Sequence, residues 1–170
     1  LALCRGLIVD VRDNGGGNLS NAETVAARFT NERVLTGYIC HKTGAGHDEF
    51  SSPEPIYLDS SDGIRWQKSV CVLTNRSSYS ATNDFVKMMR ALPLVTVVGD
   101  RTGGGSGLPF SAELPNGWGV RFSACPSFDA DMRHTEFGIE PDVRVDMSDG
   151  DRARGVDTII ETARRLLAKN

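Results

Sequence analysis

Hydrophobic residues fall along the chain in two rhythms. Unbroken apolar runs occur at Gly6-Leu-Ile-Val-Asp-Val-Arg12, Val70-Cys-Val-Leu-Thr74 and Leu94-Val-Thr-Val-Val-Gly99. Runs of that kind predict strands inside a sheet covered on both faces. Elsewhere apolar residues recur every three or four positions, which predicts helices. One such stripe is Ala22, Val25, Ala26 and Phe29 behind a Ser20 cap. Another is Ala81, Phe85, Met88, Met89 and Leu92, starting at Ser80 and closed by Pro93. The last is Val156, Ile159, Ile160, Ala163, Leu166 and Leu167, with Asp149 or Asp151 as its cap.

Shorter signals fill the gaps. Val34 to Cys40 reads as a strand, as does Val143-Arg-Val145, and Pro109 to Leu114 with Gly119 to Cys125 reads as a hairpin around Pro115-Asn-Gly117. His41 to Phe50 and Asp129 to Thr135 are polar loops. Pro53, Pro55 and Asp62-Gly63 mark irregular surface chain. The order β-α-β, then β-α-β-ββ-β-α, is that of an α/β domain, without repeat or linker.

Composition narrows the function classes. At 170 residues the chain is long enough for one domain with a sizeable core. A net charge of −3 with no basic run argues against a nucleic-acid partner. No apolar stretch approaches the roughly 20 residues of a membrane helix. Cys4, Cys40, Cys71 and Cys125 are scattered without a C-x-x-C, and three sit in apolar runs, so free buried thiols are expected rather than a metal site.

Chemistry is concentrated at two kinds of junction. Asp13-Asn-Gly-Gly-Gly-Asn18 and Asp100-Arg-Thr-Gly-Gly-Gly-Ser-Gly107 are loops whose backbone can approach a ligand closely. The first lacks both the G-x-x-x-x-G-K-[ST] lysine and the G-x-G-x-x-G spacing, so phosphate binding is disfavoured. Donating N–H groups to an oxyanion is the other use of such a loop. Ser80 stands where the Val70–Thr74 strand turns into a helix. A serine held at a helix start meets free N–H groups and a dipole that stabilise negative charge, as a nucleophile requires. Ser, Thr, Asn and Asp are equally the preferred helix caps, so capping is the competing explanation for this cluster.

Four motifs then occur in one order. Asp10-Val-Arg-Asp-Asn-Gly-Gly-Gly17 resembles the D-[LV]-R-x-N-x-G-G signature of the S41 peptidases, the family of the C-terminal processing proteases and of the tricorn core. Ser80-Ala-Thr-Asn-Asp84 resembles their nucleophile turn. Val98-Gly-Asp-Arg-Thr-Gly-Gly-Gly105 and Gly138-Ile-Glu-Pro-Asp142 resemble the V-G-x-x-T-x-G loop and the G-[IV]-x-P-D element that follow it. The resemblance implies a ClpP/crotonase-like core of stacked β-β-α units that hydrolyses peptide or protein substrates without a cofactor or metal. It makes Ser80 the nucleophile and gives the oxyanion hole to the N–H of Ala81 and one from Gly16 or Gly17.

The base departs from part of the family. Processing proteases carry a lysine 25 residues after the serine; here that position is Gly105, and no lysine lies between Lys87 and Lys169. A Ser–Lys dyad is therefore excluded within this chain. The tricorn-like branch uses histidine and glutamate instead. Glu136 is the candidate glutamate, although it stands two residues before Gly138 where the family more often has three. The histidine lies upstream of the glycine loop in that branch. We therefore expect residues 1–170 to be one domain, the C-terminal portion of the core, preceded by a part with a PDZ-like module, and to be inactive alone. Within the chain, His47 is the best alternative base, ahead of His134 and of His41 at a strand end. Arg12 is expected to brace the glycine loop by a salt bridge, and Asp84 to cap its helix. Relatives in this family are mostly extracytoplasmic, tricorn being cytosolic. The same scaffold also carries retinoid-binding and acyl-CoA proteins, so a ligand-binding module is the rival reading.

Overall fold

The computed structural model describes residues 3–169; Leu1 and Ala2, read above as part of the run into the first strand, lie outside them. A parallel sheet in the order β1-β4-β5-β9 forms the centre. Its strands are β1 (Leu7–Asp10), β4 (Val70–Thr74), β5 (Val95–Gly99) and β9 (Val143–Arg144). All five residues of β4 are buried. Alternation explains why its sequence shows no polar face. Val70 and Val72 pack into one apolar cluster with Phe85, Val86, Met89 and Val97, and Cys71 and Leu73 into another with Val98, Ile159 and Ala163. Helices α1 (Leu19–Ala26) and α2 (Ala81–Arg90) thus cover one face, and α4 (Thr158–Ala168) the other.

Helix α2 is more deeply set than an amphipathic stripe predicts. Every residue from Ala81 to Met89 is buried, including Thr82, Asn83, Asp84 and Lys87. Its polar side is covered by the loop from Thr102 to Ser106 and by a small antiparallel sheet. That sheet has the order β3-β2-β8, from β3 (Glu54–Leu58), β2 (Val34–Ile39) and β8 (Ser127–Asp129). The expected hairpin is present as β6 (Phe110–Glu113) and β7 (Gly119–Phe122), with Gly117 at φ 84° in its turn.

Several local expectations are corrected. Asn18, not Ser20, caps α1, its side chain accepting from the Ser20 N–H. The Pro53–Leu58 stretch contains the strand β3; Pro55 is tolerated because β3 lies at a sheet edge. The final stripe is preceded by a separate short helix, α3 (Asp149–Ala153), capped by Ser148. Asp157, rather than Asp149 or Asp151, caps α4, its carboxylate accepting from the N–H groups of Ile159 and Ile160. All four cysteines are free; Cys40 and Cys71 are buried, Cys125 is half-buried and Cys4 is exposed.

Candidate active site

The turn after β4 is fixed from beneath by Ser78. Its buried hydroxyl donates to the Val11 carbonyl at 2.8 Å, and its own carbonyl accepts from the Gly103 N–H at 2.9 Å. Asn75 and Asp13 bond to each other in both directions, tying this turn to the end of β1. The chain then bends sharply. Ser80 has φ 59° and ψ −126°, a region that a side chain rarely occupies, and its hydroxyl makes no capping bond to α2. Capping therefore does not explain this serine. Its N–H donates to the Gly104 carbonyl at 2.8 Å.

The glycine loop packs directly on this bend. A Cβ at Gly16 would stand 2.8 Å from the Ser80 Cβ and 3.0 Å from the Ala81 nitrogen, so only glycine permits the approach. Asn14 holds loop and bend together. Its carbonyl accepts from the Tyr79 N–H, and its side-chain oxygen accepts from the Gly16 N–H at 3.0 Å and the Thr82 hydroxyl at 2.8 Å. Among the described residues, the N–H groups of Gly17 and Ala81 have no acceptor. Beside them opens a cleft of about 370 Å³. Val9, Val11, Ala22, Val25 and Phe85 give it apolar walls, and Asn14, Asn18 and Asn21 stand among its polar residues.

Glu136 reaches this region through backbone. The Gly105 N–H donates to the Glu136 carbonyl at 2.9 Å, so Gly104 bonds Ser80 while its neighbour bonds Glu136. The half-buried Glu136 carboxylate accepts from the Ser123 hydroxyl at 2.5 Å. A side chain at Gly105 would displace the half-exposed Tyr79 ring, its Cβ falling 2.3 Å from the ring Cζ, and would strain a backbone at φ 80°. Asp84 does not cap α2. It forms a buried ion pair with Lys87 at 3.0 Å, and Lys87 also donates to the Ser127 hydroxyl. Burial pushes the Asp84 carboxyl up despite Lys87 and a hydrogen bond from Ser106.

The histidines stand apart from Ser80. His47 is 98% exposed in the 41–50 loop, 3.8 Å from Asp48. His41 lies 3.7 Å from the Cys125 sulfur, and His134 meets Phe128 edge-on and Phe137 at a tilt. Among the described residues no histidine bonds the Ser80 hydroxyl, and no cluster of His, Cys, Asp or Glu suits a metal ion. Arg12 does not brace the glycine loop. It bridges Asp10 at 2.7 Å and Asp157 at 2.9 Å, joining β1 to the cap of α4. Sequence reasoning passed over Asn14, Asn83, Thr102 and Ser106. The available signal was a polar Thr-Asn-Asp run at the start of an otherwise apolar helix.

Comparison with known proteins bears on these motifs. The model of Peptidase family S41 matches residues 2–145. The crystal structure of a candidate peptidase from Parabacteroides merdae superposes with a TM-score of 0.93 at 62% identity, over 96% of this chain and 52% of that one. Mature CPAF, at 15% identity, superposes with a TM-score of 0.81 over 96% of this chain and 43% of its own, a likeness of fold alone. A candidate tricorn-like protease C-terminal subunit from Sulfurisphaera tokodaii is 29% identical over 170 residues, 96% of this chain. The chain spans about half of the Parabacteroides protein, and only 22%, 22% and 18% of the curated relatives it matches. The α/β architecture with a parallel sheet is the fold of these protease domains, as the motifs implied.

Proposed function

Because this chain belongs to peptidase family S41, we propose that Ser80 is the nucleophile of a serine peptidase acting through an acyl-enzyme. The observation that carries the reading is the strained, uncapped bend at Ser80 with Gly16 packed against its Cβ. Strain at a non-glycine residue persists only where the surroundings impose it, and it concentrates at functional sites. In this reading Ser80 Oγ attacks the scissile carbonyl while its proton passes to a general base. The carbonyl oxygen becomes an oxyanion held by the Ala81 and Gly17 N–H groups. Gly17 serves better than Gly16, whose N–H is already given to Asn14. The base then protonates the leaving amine, and water hydrolyses the acyl-enzyme by the same route.

Gly105 lacks a lysine, and Lys87 is buried in its pair with Asp84. By resemblance to the tricorn-like branch, we assign the base to a histidine outside residues 1–170, with Glu136 orienting it. The apolar cleft beside Ala81 receives a substrate side chain next to the scissile bond. An extracytoplasmic location, expected by resemblance, is tested by fractionating the native protein; no described helix is long and apolar enough to cross a membrane.

The test is labelling of the full-length protein with a serine-directed fluorophosphonate. An adduct on Ser80 that disappears in Ser80→Ala is the expected result. No adduct on the wild type overturns the reading and favours a ligand-binding module. Peptide hydrolysis by residues 1–170 alone, lost in Ser80→Ala, would refute an external base and promote His47.

A further inference from the structure

We propose that Asn83 is the positioning residue that holds the Ser80 bend and the Glu136 segment in one fixed arrangement, a role resting on the proposed use of those two residues. Asn83 lies on α2, three residues after Ser80, and is fully buried. Its amide nitrogen donates to the Ser106 hydroxyl at 2.6 Å and to the Thr135 carbonyl at 3.1 Å. Its amide oxygen accepts from the Thr102 hydroxyl, which in turn accepts from the Ile139 N–H at 2.7 Å. One side chain thereby grips both ends of the 102–106 loop and the residue preceding Glu136.

That loop is the piece that touches both proposed groups. Gly104 receives the Ser80 N–H, and Gly105 donates to the Glu136 carbonyl. Fixing Thr102 and Ser106 to the nucleophile's own helix sets the separation of Ser80 and Glu136 from a single residue. Chemistry selects the amide. Two donors and an acceptor are needed in one short side chain; aspartate has no donor when ionised, and alanine has neither. In so dry a place each abandoned partner is a costly buried polar group, so the network is made whole or the loop shifts. Asn83 makes no bond to Ser80 Oγ and lines no part of the cleft beside it, which makes it positioning rather than catalytic.

The experiment uses full-length protein with two readouts. In Asn83→Ala, hydrogen exchange of the Ser80 and Gly105 amides should quicken at least tenfold while Val72 and Leu73 in β4 keep their protection. Fluorophosphonate labelling of Ser80 should slow on the order of a hundredfold, the penalty of about an ångström of misplacement. Asn83→Asp supplies a signature that mere support of the fold would not. The charged residues on the elements that pack against this position are Asp84 and Lys87 on its own helix, Glu136 next to Thr135, and Arg101 next to Thr102. Ionised, the new carboxyl donates nothing; protonated, it regains a donor. Its labelling rate relative to wild type should therefore climb as pH falls, whereas the Asn83→Ala ratio stays flat. Where Asn83→Ala does not fold, Thr102→Val removes one bond and should quicken exchange at Gly105.

Unchanged exchange at Ser80 and Gly105, or exchange that rises equally in β4, overturns the proposal. Equal pH dependence of the two Asn83 variants overturns it too. A wild type that takes no label sinks the peptidase reading alone, because the exchange measurement still decides the role of Asn83.

Discussion

The bend at Ser80 makes a counter-intuitive prediction: replacing the proposed nucleophile with glycine should stabilise the protein. Ser80 sits at φ 59° and ψ −126° with no capping bond to offset it. A non-glycine residue in such a sparsely populated region costs about 1–3 kcal/mol. Glycine escapes that cost but adds unfolded-state entropy, worth about 0.4–1 kcal/mol against alanine. Ser80→Gly should therefore exceed Ser80→Ala by roughly 1–2 kcal/mol. For a unit of 170 residues that is a rise in Tm of about 2–8 °C, and less in the longer full-length protein. Alanine is the proper control, since it also removes the hydroxyl but keeps the Cβ that creates the strain. Calorimetry of both variants in the full-length protein measures the difference. A Ser80→Gly protein no more stable than Ser80→Ala refutes the claim that the bend stores strain.

Three further outcomes follow from the surroundings. Gly104→Ala should cost more than about 3 kcal/mol in chemical denaturation, because its Cβ would lie 1.9 Å from the Glu136 carbonyl oxygen at a φ of 85°. Lys87→Met leaves Asp84 buried without its cation and should cost about 3–5 kcal/mol at neutral pH. Burial already raises Asp84 above its ordinary 3.8, so the native state favours its protonated form; the Lys87→Met deficit should shrink as pH falls through that raised value. The Arg12→Met deficit should also shrink in acid, but at lower pH, because the carboxylates it supports are lowered rather than raised. The Arg12 hydrogen bond lowers Asp10, and Arg12 also holds Asp157 down although burial opposes its charge. Both carboxylates give stability above pH 3.8 that is lost as pH falls through their lowered values. The variant should lose about 1 kcal/mol at neutral pH, modest because the pair is partly solvated, and show a flatter acid limb.

What the sequence disclosed depended on whether the cause was local. Val70–Thr74 matches β4 residue for residue, because burial on both faces leaves its mark within five positions. The hairpin turn was legible from Pro-Asn-Gly for the same reason. Strands β3 and β8 were not, since each is made a strand by pairing with β2 and carries Pro55 or a polar end that speaks against it. Caps were misplaced where several cap-forming residues compete, by two residues at Asn18 and Ser20 and by about two turns at Asp157, where a separate short helix intervenes. In the candidate site, Ser80, Ala81 and the glycine loop were legible as a strand–turn–helix junction and as motifs resembling a family, and the structure packs them against one another. Asn83 was missed because its partners lie 19, 23 and 52 residues away. Arg12 was misdirected because its second carboxylate, Asp157, comes from the far end of the chain.

The Tyr79 ring, lying where any side chain at Gly105 would have to stand, also constrains how such a site can change in evolution. A lysine at position 105 would have to adopt a left-handed backbone and push the half-exposed Tyr79 ring aside, the backbone strain alone costing about 1–3 kcal/mol. Building a Ser–Lys pair here by that single substitution therefore loads stability as well as chemistry, and a smaller residue at Tyr79 should relieve only the part due to the ring.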